Sequence, residues 1–144
     1  MRKTVLLGTM CIFVLLVSAS AQNNNQGNTL TGLWNVTVTD PGGPPPFVAM
    51  ITFNADGTLM ATETDEQRVT QGLWHKAGEH DFSLVTYQFD FEPNFDGTFR
   101  LTSKVKLDQN KNHLSGPFHI EFFDTNGNLL FTSDGTLDGT RVTS

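Results

Sequence analysis

The chain has 144 residues, nine of them basic and fifteen acidic, so its formal net charge is −6. This length predicts a single domain. An acidic chain without a basic patch is repelled by nucleic acid and by anionic membrane surfaces, which excludes both as expected partners.

Residues 1–21 have the pattern of a secretory signal peptide. Arg2 and Lys3 precede an apolar run shorter than the ~20 residues of a membrane span, and Ala19-x-Ala21 provides a cleavage site. The pattern is bacterial in style and predicts a secreted or periplasmic protein, the alternative being an uncleaved anchor. Cleavage leaves seven basic and fifteen acidic residues, a charge of −8, and removes the only cysteine. The remaining fold then depends on its core instead of on disulfides.

Residues 22–30 are polar and aperiodic, which predicts a flexible N-terminal tail. Over residues 31–144, short runs of Val, Thr, Phe, Ile and Leu alternate with Gly, Asn, Asp and Pro, the pattern of one all-β domain. Short connections imply antiparallel neighbours, and we expect a monomeric up-and-down (meander) β-barrel of about eight strands. The predicted strands are 31–39, 47–53, 57–63, 70–76, 82–92, 97–107, 113–123 and 128–142, the last long enough to break near Asp134-Gly135.

Alternation along the strands separates an apolar face from a polar one. In the fifth strand the apolar positions run from Val85 to Phe91, against Thr86, Gln88 and Asp90. The inner aromatic side chains either line a cavity for a flat or oily molecule or fill the barrel, and the sequence leaves both open. The predicted cavity residues are Trp34, Val36, Ala49, Ile51, Tyr87, Phe89, Phe99, Leu101, Phe118, Ile120 and Phe122.

The first predicted strand opens with Gly32-x-Trp34, which resembles the Gly-x-Trp signature of the calycin superfamily, the group of the lipocalins and avidins. The resemblance implies a lipocalin-like barrel in which Trp34 packs at the closed end and Arg141, from the last strand, packs across its indole. An exposed terminal arginine is the alternative for Arg141. The chain is shorter than typical lipocalins and lacks their Thr-Asp-Tyr motif, a disulfide and a recognisable C-terminal helix. No particular ligand therefore carries over.

The ionisable residues predict no catalytic, metal or cofactor site. His119 and Glu121 share a face of the seventh strand, but a metal requires about three converging ligands. We expect them to meet Arg100, Lys104 or Lys106 of the sixth strand instead. The Asn/Asp/Gly-rich connections predict hairpin turns, because the distal Glu of a calcium loop is missing.

Three functions remain open at this point. The first is an exported protein that binds or sequesters a small hydrophobic molecule. The second is a protein-interaction or protease-inhibitor module that uses the tail 22–30 and the Pro-rich loop 40–46. The third, a barrel cyclase or isomerase, requires polar or ionisable groups inside the barrel.

Overall fold

The computed structural model describes residues 29–64, 68–91 and 96–143. These residues form a closed barrel of eight antiparallel strands that follow one another in chain order, which confirms the predicted all-β meander. The strands are β1 (Gly32–Thr39), β2 (Phe47–Phe53), β3 (Thr58–Glu63), β4 (Val69–Lys76), β5 (Asp81–Asp90), β6 (Gly97–Leu107), β7 (His113–Asp124) and β8 (Leu129–Arg141). The described residues include no helix long and apolar enough to cross a membrane.

The eighth strand closes the barrel by pairing with the first, from Trp34 opposite Arg141 to Thr39 opposite Thr136. β8 runs through Gly135 without the break considered above, because Gly135 pairs with Phe118 of β7. A side chain at Gly135 would overlap the Phe118 ring, so this glycine makes room for an inner aromatic residue.

The predicted signal peptide, residues 1–21, lies outside the described residues, as does 22–28 of the predicted tail. The end of that tail belongs to the barrel. Leu30 is completely buried, and its carbonyl accepts a hydrogen bond from the indole Nε1 of Trp34 at 2.7 Å. The core therefore begins no later than Leu30, at least one residue before the predicted domain boundary at Thr31.

One end of the barrel is filled by large side chains. We call it the closed end; it carries the β2–β3, β4–β5 and β6–β7 connections. Trp74 packs here between Phe53 and Phe82, with ring centroids 6.1 Å and 5.9 Å away. The buried core at this end comprises Leu30, Trp34, Val36, Ala49, Ile51, Phe53, Leu59, Phe82, Leu84, Val105, Leu107 and Leu114.

The inner face of β5 is the opposite of the one predicted. Phe82 and Leu84 are buried and fix which positions of the strand point inward. Because side chains alternate along a strand, Tyr87 and Phe89 must then point outward, and they are 50% and 57% exposed. Both alternating sets of β5 contain large apolar residues: Phe82 and Leu84 belong to the inner set, and Val85, Tyr87 and Phe89 to the outer one.

Two of the predicted hairpin turns lie fully within the described residues and have the expected chemistry. Gly57 and Gly127 adopt positive φ angles of 89° and 83°, which favour glycine. The carboxylate of Asp124 accepts hydrogen bonds from the backbone N–H groups of Asn126 and Asn128, both at 2.8 Å. These contacts are those of a hairpin turn closed by its own side chain.

Candidate binding cavity at the open end of the barrel

A cavity of about 570 Å³ occupies the half of the barrel opposite the filled core. We call this half the open end; β1, β3, β5 and β7 end there. Its volume lies within the ~300–1,000 Å³ typical of small-molecule sites. The barrel is therefore filled at one end and hollow at the other.

One side of the cavity, the apolar wall, is built by the inner faces of β6, β7 and β8. Phe99 lies opposite Phe122 in the ladder, and Phe122 lies opposite Phe131. The ring centroids of Phe99 and Phe122 are 4.6 Å apart, and those of Phe122 and Phe131 are 5.2 Å apart. The residues of these strands that line the cavity through apolar side chains are Phe99, Leu101, Phe118, Ile120 and Phe131.

The other side, the polar wall, comes from β3, β4, β5 and the residue before β4. Its lining residues are Glu63, Arg68, Thr70, Thr86 and Gln88. The buried hydroxyl of Thr70 lies 3.1 Å from Oε1 of Glu63 and 3.3 Å from Oε1 of Gln88, and its single hydrogen can be donated to either acceptor. Hydrogen-bonding groups thus face the aromatic rings across the cavity.

Arg68 connects the two walls. Its Nη2 lies 3.0 Å from Oδ1 of Asp90, and both side chains are largely buried. Its guanidinium carbon also lies 5.9 Å from the ring centroid of Phe99, within cation–π range. The charged residues that line the cavity, Asp40, Glu63 and Arg68, have a summed formal charge of −1.

The β1–β2 loop forms part of the cavity rim and is attached to β8. Oδ1 of Asp40 accepts hydrogen bonds from the N–H of Gly42 at 2.9 Å and from the hydroxyl of Ser133 at 2.8 Å. Gly42, Gly43 and Pro44 line the cavity beside these contacts. The Pro-rich loop that the sequence singled out is therefore a wall of the cavity mouth as well as an exposed loop.

The structure places the eleven predicted cavity residues in four different environments. Four of them line the cavity: Phe99, Leu101, Phe118 and Ile120. Four others are packed in the closed-end core: Trp34, Val36, Ala49 and Ile51. Of the remaining three, Phe122 is buried against Phe99. Tyr87 and Phe89 lie on the outer surface, so their predicted place in the cavity is wrong.

The residues of the polar wall are not among those predicted from sequence to line the cavity. The predicted face of β5 puts Val85, Tyr87 and Phe89 inside the barrel and therefore puts Thr86 and Gln88 outside it. Glu63 and Thr70 lie on strands to which no face was assigned. A usable signal was present in β3, where Leu59 and Ala61 share the alternating set of Glu63.

The predicted contact between Trp34 and Arg141 is found at the closed end, far from the cavity lining. The guanidinium carbon of Arg141 lies 4.3 Å from the Trp34 ring centroid. The guanidinium also donates to the carbonyls of Thr31, Thr29 and Lys111 at 2.6, 3.0 and 2.8 Å. Burial lowers the pKa of Arg141 from its ordinary value, but every donor contact described favours the charged form.

Three of the four histidines, His75, His113 and His119, lie on the outer wall, and His80 lies in the β4–β5 connection. Glu121 pairs with Arg100 of β6 at 2.8 Å, one of the three partners expected for it. His119 instead pairs with Asp134 of β8, also at 2.8 Å. In the part of the chain that the structure describes, no three His, Asp or Glu side chains converge as a metal site would require.

Comparisons with known proteins assign no family to this chain. No protein-family model matches the sequence, and no curated protein is significantly similar to it. The fold and the two walls of the cavity are therefore the features that indicate a function.

Proposed function

We propose that this protein is exported and binds or sequesters a small, largely apolar molecule in the open-end cavity, as a lipocalin-like member of the calycin superfamily. The observation that carries the proposal is a cavity of about 570 Å³ between an apolar and a polar wall. Concave sites with mostly apolar lining and a few polar groups are the usual form of a ligand site. The closed-end Trp34–Arg141 contact and the signal-like N-terminus support the family and the export, respectively.

The two walls suggest the chemistry of the ligand. An apolar or aromatic body would pack against Phe99, Phe118 and Ile120, and hydrogen-bonding groups on its other edge would face Thr70 and Gln88. A carboxylate on the ligand would meet the like charges of the lining acids in a site partly withdrawn from water, which is costly. We therefore propose a neutral or amine-bearing ligand in preference to a fatty acid.

The first experiment uses the protein purified after export, with its N-terminus determined by mass spectrometry. Native mass spectrometry then reports any molecule that co-purifies, and titration with the neutral dye Nile red measures binding to the apo protein. An N-terminus at residue 22 would support cleavage after Ala21. Dye binding that saturates at one molecule per chain is the expected result.

A matched pair of variants tests whether the dye binds in the cavity. Leu101 lines the cavity, and its neighbour Thr102 points to the outer face. We expect Leu101→Trp to weaken Nile red binding at least about tenfold by filling the cavity, and Thr102→Trp to leave it within about twofold. Two results would refute the proposal. One is the absence of any dye binding, and the other is an equal effect of the two variants on dye binding when their melting curves are unchanged.

The polar wall also favours a second candidate, a barrel isomerase or cyclase. Glu63 is a carboxylate that faces the cavity beside the Thr70 hydroxyl, and such a group can take up and return a proton. The two candidates differ in the fate of the ligand. A co-purified molecule that wild type converts and Glu63→Gln binds without converting would establish the enzyme; recovery of unchanged ligand from both would leave the binding function.

A further inference from the structure

The outer surface of the barrel is divided into two unlike faces. On β6, β7 and β8 the outward side chains form ion pairs, such as Arg100 with Glu121 and His119 with Asp134. On β2 to β5, by contrast, the outward positions hold large apolar side chains that are 47–59% exposed. We call this set the outer apolar face: Met50, Met60, Val69, Leu73, Tyr87, Phe89 and Phe91, the last just beyond β5.

These residues form one continuous patch. Met60 of β3 lies opposite Gln71 of β4, and Gln71 lies opposite Tyr87 of β5, so the three side chains form a row across the strands. Beside this row, the rings of Phe89 and Phe91 contact each other edge to face, with centroids 6.0 Å apart. The patch therefore spans neighbouring strands and is not a scatter of isolated residues.

The patch is also free of charge. The outward positions of β2 and β3, and those of β4 and β5 as far as Leu73 and Val85, include no Asp, Glu, Lys or Arg. The outward charges beside the patch lie at its margins: Asp81 at the closed-end start of β5, and Arg100 of β6, which lies opposite Tyr87 and pairs with Glu121. On a chain with a net charge of −6, this face is where a second acidic molecule can approach without like charges in contact.

The exposed area matches that of a protein interface. Seven large side chains, each about half exposed, present about 600–700 Å² of mostly apolar surface. The largest apolar patch on a typical monomer is ~300–600 Å², and a standard interface buries ~800 Å² on each partner. The outer apolar face is therefore large enough for a protein partner to be expected on it.

We propose that a second copy of this chain covers the face and forms a twofold homodimer, in place of the monomer expected from sequence. An uncharged apolar patch is complementary to itself, as a twofold interface requires. The central polar residues are complementary too, since the Tyr87 hydroxyl of one copy can donate to the Gln71 amide of the other.

Sedimentation velocity of the exported protein between about 1 and 100 µM tests this proposal. We expect wild type to sediment as a dimer, and Leu73→Glu, which puts a carboxylate on each half of the interface, to raise the dimer dissociation constant at least about tenfold. Thr136→Glu is the matched control, because Thr136 is exposed on β8 outside the patch. It should leave the dimer intact.

Circular dichroism shows whether Leu73→Glu folds. If it does not, the milder substitution Gln71→Glu, in the centre of the patch, is tested in its place. A wild-type monomer at every concentration would overturn the proposal, as would dimers that persist in both patch variants. A monomer that floats with phosphatidylcholine vesicles would also overturn it and would assign the face to a lipid surface. Because the cavity is not part of this interface, Nile red binding tests the proposed function separately.

Discussion

Arg141 joins three backbone segments at the closed end, and its truncation should destabilise the whole barrel. Its guanidinium donates to the carbonyls of Thr29, Thr31 and Lys111 and stacks on Trp34. A hydrogen bond from a charged donor contributes ~1.5–3 kcal/mol, and a cation–π contact ~0.5–2 kcal/mol. Because water can replace part of this network, we expect Arg141→Ala to lower the free energy of unfolding by about 3 kcal/mol, less than the sum of the parts.

Thermal unfolding followed by circular dichroism measures this loss. For a domain of this size about 3 kcal/mol corresponds to a fall in Tm of roughly 10 °C. Arg141→Lys should fall between wild type and Arg141→Ala, because one ammonium group cannot reach three carbonyls in different directions. The control is Arg100→Ala, which breaks an ion pair on the outer wall and should cost less than about 1 kcal/mol. If Arg141→Ala lowers Tm no more than Arg100→Ala does, the closed-end network does not stabilise the barrel.

Three further predictions concern acid stability, packing and ligand charge. Hydrogen bonds from Asn128 lower the pKa of Asp124 below 3.8, so its stabilisation is present above that pH and is lost as pH falls through the lower folded-state pKa. Asp124→Asn, whose single Oδ1 still accepts the two backbone N–H bonds of Asn126 and Asn128 but not the one from the Asn128 side chain, should flatten the fall in Tm below about pH 4. Gly116→Ala should cost about 1–3 kcal/mol, because its Cβ would overlap the carbonyl oxygen of Lys104, whereas Gly42→Ala, with its nearest contact at 3.7 Å, should leave the chemical-denaturation midpoint unchanged. Among aromatic ligands that differ only in their head group, calorimetry should give the lowest dissociation constant for the amine or the neutral form. Glu63→Gln should improve binding of the carboxylate form. If wild type binds the carboxylate form most tightly, the negative charge of the cavity does not select the ligand.

The strands could be predicted because turn residues and alternation agree along most of the chain. Each predicted strand coincides with an observed strand to within two residues at either end. The prolines after Asp40 cannot pair in a ladder, and Gly57 and Gly127 adopt positive φ. These local signals need no knowledge of the tertiary structure, and eight short-connected strands leave few alternatives to a meander.

The inner faces could be predicted only where one alternating set is apolar. In β6 and β7 the outward positions hold Arg100, Lys104 and His119, so only one assignment buries the apolar residues. In β5 both sets contain large apolar residues, and pairing with the neighbouring strands decides between them. Leu84 lies opposite Trp74 and Ser103, both inner residues, and this places Tyr87 on the outside.

The depth of a residue in the barrel could not be read from its position along a strand, because the strands are staggered. Starting at Trp34 in the closed-end core, the ladder passes directly to Ile51, then to Ala61, and then to Thr70. Thr70 already lines the cavity. One row of paired inner residues therefore leads from the filled end into the hollow one within four strands, as the tilt of a closed barrel requires. Whether an inner side chain fills the barrel or lines the cavity depends on this stagger. The sequence therefore predicts Trp34, Ile51, Phe99 and Ile120 alike as cavity residues, although only Phe99 and Ile120 line the cavity.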